Sequence, residues 1–149
     1  MPLLATNLTQ RPPRSPRVRL GGYVILPRIL DKGRATLAGT NGEYIYGCPL
    51  DLRFFDFVGL EPDALKQQLA AGLGDNDVLA WIRKTAATKR TDAEIKGWSD
   101  WQENRAPMDP EGRSYFNEIH SKVAPTREDI ASWFDLLDVD DFASFGGKP

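Results

Sequence analysis

The sequence predicts a mostly all-α fold, a compact multi-helix bundle behind an extended arginine- and proline-rich N-terminal arm. Three observations carry this expectation. Amphipathic segments with capping residues recur along the second half of the chain, prolines cluster before residue 20, and only the stretch near 36–46 has the turn and β-prone residues of a short hairpin. At 149 residues one core suffices. The expected organisation is an arm over 1–20 and a single helical domain over 21–149.

The arm reads L-T-Q-R-P-P-R-S-P-R-V-R over residues 8–19. Its three prolines fix φ and remove backbone donors, so extended polyproline-like chain is favoured over helix. Arg11, Arg14 and Arg17 recur every third residue, and Arg19 follows. With three residues per turn they align along one edge, suited to a row of carboxylates or phosphates. Such an arm either docks a partner or lies on its own acidic body.

After Gly21-Gly22, Leu26, Ile29, Leu30, Gly33 and Leu37 fall at helical spacing, predicting a helix from about 23 to 37 with Arg28, Asp31, Lys32 and Arg34 on its surface. Asn41-Gly42 followed by E-Y-I-Y marks the hairpin candidate. Two helices are expected from Pro49 and from Glu61, with Leu52, Phe55, Leu65 and Leu69 inward. Further starts fall at Gly74, Thr91 and Thr126, where a capping residue precedes acidic and aliphatic positions, and at Asp109, a cap followed by Pro110 at the first helical position. The tryptophans at 81, 98, 101 and 133 are read as interhelical packing.

Composition narrows the function classes. Apolar residues are 41% and charged residues 27% of the chain, as in ordinary globular proteins. The longest early apolar run, Tyr23 to Leu26, is too short for a membrane span or signal peptide, so a cytoplasmic protein without membrane attachment is expected. One cysteine and one histidine leave no basis for a zinc or iron–sulfur site, and no metal or other cofactor is implied. Residues 1–34 carry seven basic residues and one acidic, against 12 basic and 20 acidic in the remainder. The acidic body and the lack of a nucleic-acid-binding motif weigh against a nucleic-acid partner.

The densest chemistry lies between Tyr23 and Asp51. Arg28, Asp31, Tyr44, Cys48 and Asp51 are the candidate site residues, a guanidinium, carboxylates, a phenol and a thiol that together could bind an anion or move a proton. A structural account competes, in which Asp31 neutralises an arginine and Asp51 stabilises the following helix. Cys48 has no neighbouring histidine base, and His120 is read as packed or exposed. Asp135, Asp138, Asp140 and Asp141 lack the spacing of a calcium loop and form either a solvated acidic end or the surface that receives the arginine arm.

The strings R-P-P-R-S-P-R at 11–17, L-G-G-Y-V-I-L-P-R-I-L-D-K at 20–32, N-G-E-Y-I-Y-G-C-P-L-D at 41–51 and W-F-D-L-L-D-V-D-D at 133–141 resemble one bacterial family, the domain of unknown function DUF5069. The resemblance spans nearly the whole chain. It implies a small stand-alone bacterial protein and carries no activity, cofactor or catalytic residue. Two functional readings follow. The first is a non-catalytic interaction module that engages a protein partner through Arg11, Arg14, Arg17 and Arg19. The alternative is a small enzyme or anionic-ligand-binding protein with a polar site between residues 28 and 51.

Overall fold

The Gly21-Gly22 pair sets where the chain first turns back on itself. Both glycines adopt positive φ, +59° and +87°, as a two-residue hairpin loop requires. Strand β1 (Arg19–Leu20) therefore pairs antiparallel with β2 (Tyr23–Val24). This computed structural model describes residues 5–149, so residues 1–4 of the expected arm lie outside the described residues. The short hairpin is present, but at 19–24 rather than near 36–46. Around Asn41-Gly42 the chain turns without forming strands, because the residues before it stay helical to Ala38 and those after it are drawn to different elements. Tyr44 donates to Asp141 and Tyr46 to the Pro62 carbonyl. Tertiary bonding here overrides β propensity.

A single residue joins the hairpin to α1 (Leu26–Ala38). Ile25 takes φ 65°, a left-handed conformation that costs a β-branched residue on the order of 1–3 kcal/mol. The helix begins later than the periodicity predicts because Tyr23 and Val24 are committed to the hairpin. Pro27 lies in the first turn, where its missing N–H leaves no intrahelical bond unmade. Leu26, Ile29 and Leu30 bury the apolar side of α1. Arg28 and Lys32, expected on the surface, are also buried, only 3% and 4% exposed. A Cβ on Gly33 would stand 2.5 Å from Leu69 Cδ1, so glycine permits this close approach.

The other helices are α2 (Pro49–Val58), α3 (Pro62–Ala70), α4 (Asp75–Thr85), α5 (Asp92–Asn104), α6 (Pro110–Val123) and α7 (Trp133–Ser144). Gly74, Thr91 and Asp109 are the N-caps of α4, α5 and α6, as the sequence predicts. The start expected at Thr126 does not form. Instead Ser132 caps α7, its Oγ accepting from the Asp135 N–H while the Asp135 carboxylate accepts from the Ser132 N–H. Asp129, expected in a first helical turn, pairs with Arg127. The later box prevails because starting at Trp133 places Phe134, Leu136 and Val139 in the interior.

The larger apolar cluster joins β2, α1 to α5 and Phe134 of α7. Tyr23, Phe54, Phe57 and Trp98 interlock within it, with Phe57 and Trp98 stacked at 4.8 Å. Each fully buried phenylalanine there contributes roughly 1.5–3 kcal/mol. A smaller cluster forms from Phe116, Ala124, Ile130, Leu136 and Val139 between α6 and α7. Helix α7 belongs to both, which fixes its acidic face beside α1. Trp101, expected to pack, is 57% exposed.

Candidate functional site

Helix α1 carries four charged residues, and they face two different environments. Asp31 and Arg34 look towards the arm and the start of α4. Arg14 donates to Asp31 from its backbone N–H at 2.8 Å and from its guanidinium at 3.0 and 3.1 Å, and it reaches Asp75 at 2.8 Å. Arg34 completes this cluster by donating to Asp75 at 2.8 Å. Burial opposes charge on Arg14, but its bonds to Asp75 and Asp31 prevail and strengthen its protonation. The buried Pro13 and Pro16 press the arm against the body between these contacts.

The rest of the arm spreads over other helices. Arg17 pairs with Asp135 and, at 3.0 Å, with Asp138 of α7. Arg19 pairs with Asp100 of α5 at 2.8 Å. The regularly spaced arginines thus meet separate carboxylates on several helices. Arg11 is exposed. The first half of α7 receives part of the arm through Asp135 and Asp138.

Arg28 and Lys32 look the other way, towards α7 and α2. Arg28 holds Asp141 with two bonds of 2.7 and 3.2 Å, and Tyr44 donates its hydroxyl to the same carboxylate at 2.8 Å. Burial disfavours the Arg28 charge, but Asp141 more than offsets it. Burial, and then the Asp141 charge, push the Tyr44 phenol well above its usual range, so it remains a donor. Lys32 Nζ lies 2.8 Å from Asp51, which also accepts from the Gly47 N–H, and 3.4 Å from Cys48 Sγ. Asp51 is fully buried.

Beyond these two pairs lies a cavity of about 660 Å³, within the range of small-molecule sites. Arg28, Lys32, Tyr44, Cys48, Asp51 and Asp141 line one part, and Leu8, Ile45, Leu137 and Phe145 add apolar wall. Glu43 and Asp140 contribute further carboxylates. Asp140 is harder to ionise than an ordinary aspartate, through burial first and then the neighbouring Asp141 charge, with Arg28 opposing and Glu43 adding a smaller push. The arrangement offers a fixed polar surface, oriented acceptors and a thiol. His120 is engaged elsewhere, donating from Nε2 to the Arg127 carbonyl at 2.6 Å.

Four candidate site residues, Arg28, Tyr44, Cys48 and Asp51, thus line one cavity. Asp31 does not, because Arg14 draws it to the other side of α1. Lys32, Asp140 and Asp141 escape the sequence reading as site residues. The signal for Lys32 is its i,i+4 relation to Arg28, which places both on one helical face. No local pattern reveals which aspartate near the C-terminus reaches α1.

No curated protein matches the chain. The profile of the family described as "Domain of unknown function (DUF5069)" matches residues 10–143. This match covers nearly the whole chain, including the arm from Gln10, helix α1, the cavity-lining turn and all but the last residue of α7, so the chain belongs to the DUF5069 family.

Proposed function

We propose that this chain binds a small polar molecule in the cavity between α1, the 42–51 segment and α7. The observation that carries this reading is the burial of two complementary ion pairs, Arg28–Asp141 and Lys32–Asp51, beside the same open space. Buried ion pairs often stabilise a fold no better than packed apolar residues of similar volume. Here they provide a rigid polar floor with defined acceptors, as a binding site needs. Binding is favoured over catalysis because Lys32 is committed to Asp51 and the chain's histidine is bonded elsewhere.

A bulky side chain at the mouth tests this reading. Ser144 lines the cavity from an exposed position near the end of α7. Ser144→Trp should leave thermal stability nearly unchanged and abolish the thermal shifts caused by the fragments that bind the wild-type chain. Identical fragment responses in both proteins would refute a cavity-based function.

A protein-interaction role is the second reading, favoured by the exposed Trp101 and Met108 near the end of α5. The arm guanidiniums of Arg14, Arg17 and Arg19 are engaged within the chain, so a partner would approach that apolar surface more readily. A cytoplasmic setting accords with either reading, since Cys48 is a free thiol.

A further inference from the structure

The sign of the charge in the cavity points to its ligand. Among the described residues, two cations, Arg28 and Lys32, line it together with four carboxylates, Glu43, Asp51, Asp140 and Asp141. The cations are already spent. Arg28 gives its terminal nitrogens to Asp141 and to the Arg14 carbonyl, and Lys32 gives its ammonium to Asp51 and Cys48. An incoming anion would have to displace a buried carboxylate from its partner, leaving that charge uncompensated.

The carboxylates are not all spent. Among the described residues, Glu43 and Asp140 have no ion-pair or hydrogen-bond partner, and they remain after the two buried pairs cancel. The Asp140 carboxyl is partly withdrawn from water and lies within electrostatic reach of Asp141, of Arg28, which offsets part of the repulsion, and of the exposed Glu43. A positive group between Asp140 and Glu43 would relieve this repulsion and gain charge-assisted hydrogen bonds. The Leu8, Ile45, Leu137 and Phe145 side chains provide apolar surface for the rest of a ligand.

We infer that the cavity takes a small organic ammonium compound, a protonated primary amine on an apolar body, with Asp140 and Glu43 receiving the amine. This inference rests on the cavity being a binding site, and it reverses the sign expected from the sequence, where Arg28 pointed to an anion. It makes Asp140 and Glu43 the specificity-determining residues, with the buried pairs holding the floor.

Three probes of matched shape separate the inference from the reading beneath it: phenethylammonium, phenethyl alcohol and phenylpropionate, each titrated into the full-length chain by calorimetry. The ammonium compound should bind about three- to ten-fold more tightly than the alcohol, with the carboxylate weakest. Added salt should weaken the ammonium compound and leave the alcohol unchanged. Asp140→Asn should weaken the ammonium compound much more than the alcohol and so remove most of the ammonium preference, and persisting alcohol binding shows that the variant is folded. Equal binding of alcohol and ammonium, or tighter binding of the carboxylate, would overturn the charge inference while leaving the cavity as a binding site. No binding of any probe would overturn both.

Discussion

The two charged sides of α1 use the same chemistry and are finished differently. On one, Asp31 and Arg34 meet Arg14 and Asp75, and the arm itself fills the space. On the other, Arg28 and Lys32 meet Asp141 and Asp51, and the space beyond is left open. The filled side is part-exposed and behaves as a clasp between arm, α1 and α4. The open side is more deeply buried, so its pairs are held more rigidly and are more costly to break. The difference teaches that an ion pair is assigned a role by what covers it rather than by its residue types.

The largest expected effect sharpens that contrast directly. Asp51→Ala would leave Lys32 buried without its carboxylate and should destabilise the fold by about 3–5 kcal/mol. Arg14→Ala breaks more hydrogen bonds, yet its side chain is 37% exposed, and solvent screening should hold the loss to about 1 kcal/mol. Urea unfolding of both variants measures the two losses. Equal losses would erase the proposed distinction between the two sides.

A smaller effect concerns acid. Burial opposes ionisation of Asp75, but its bonds to Arg14 and Arg34 prevail and hold its carboxyl below the usual range. Asp135 is likewise held low despite burial, by the Ser132 and Ala131 N–H groups and by Arg17. Both are easier to ionise in the folded chain, so their stabilisation is complete above the unfolded value near pH ~4 and is lost as pH falls through the lower folded values. The unfolding midpoint should therefore drop below about pH 4, and less steeply in Arg14→Ala. An unchanged slope in that variant would count against the clasp.

Much of this architecture is legible in the sequence because its signals are local. Thr91 with Glu94, Asp109 before Pro110, and Pro49 and Pro62 in first turns each mark a helix start within a few residues. Where two local signals compete, the interior decides, as when Ser132 prevails over Thr126. The hairpin moved for a similar reason, since Val24 and Gly22 bond to Ser99 on α5, a partner invisible to local propensity. The site was half legible. Arg28, Tyr44, Cys48 and Asp51 lie close in sequence, whereas Asp140 and Asp141 arrive from 89 or more positions away. Asp31 reads like a member of the site because helical spacing alone does not say which side of α1 the arm will cover.

The most direct measurement is the amide map of an isotope-labelled, full-length chain titrated with phenethylammonium. Perturbations concentrated at Gly42–Ile45, Cys48 and Asp140–Phe145, with the amides of Arg14, Ser15 and Arg17 and the start of α4 unmoved, are the predicted result. Perturbations concentrated along the arm and α4, with the cavity amides unmoved, would contradict the assignment of one side of α1 to scaffold and the other to binding.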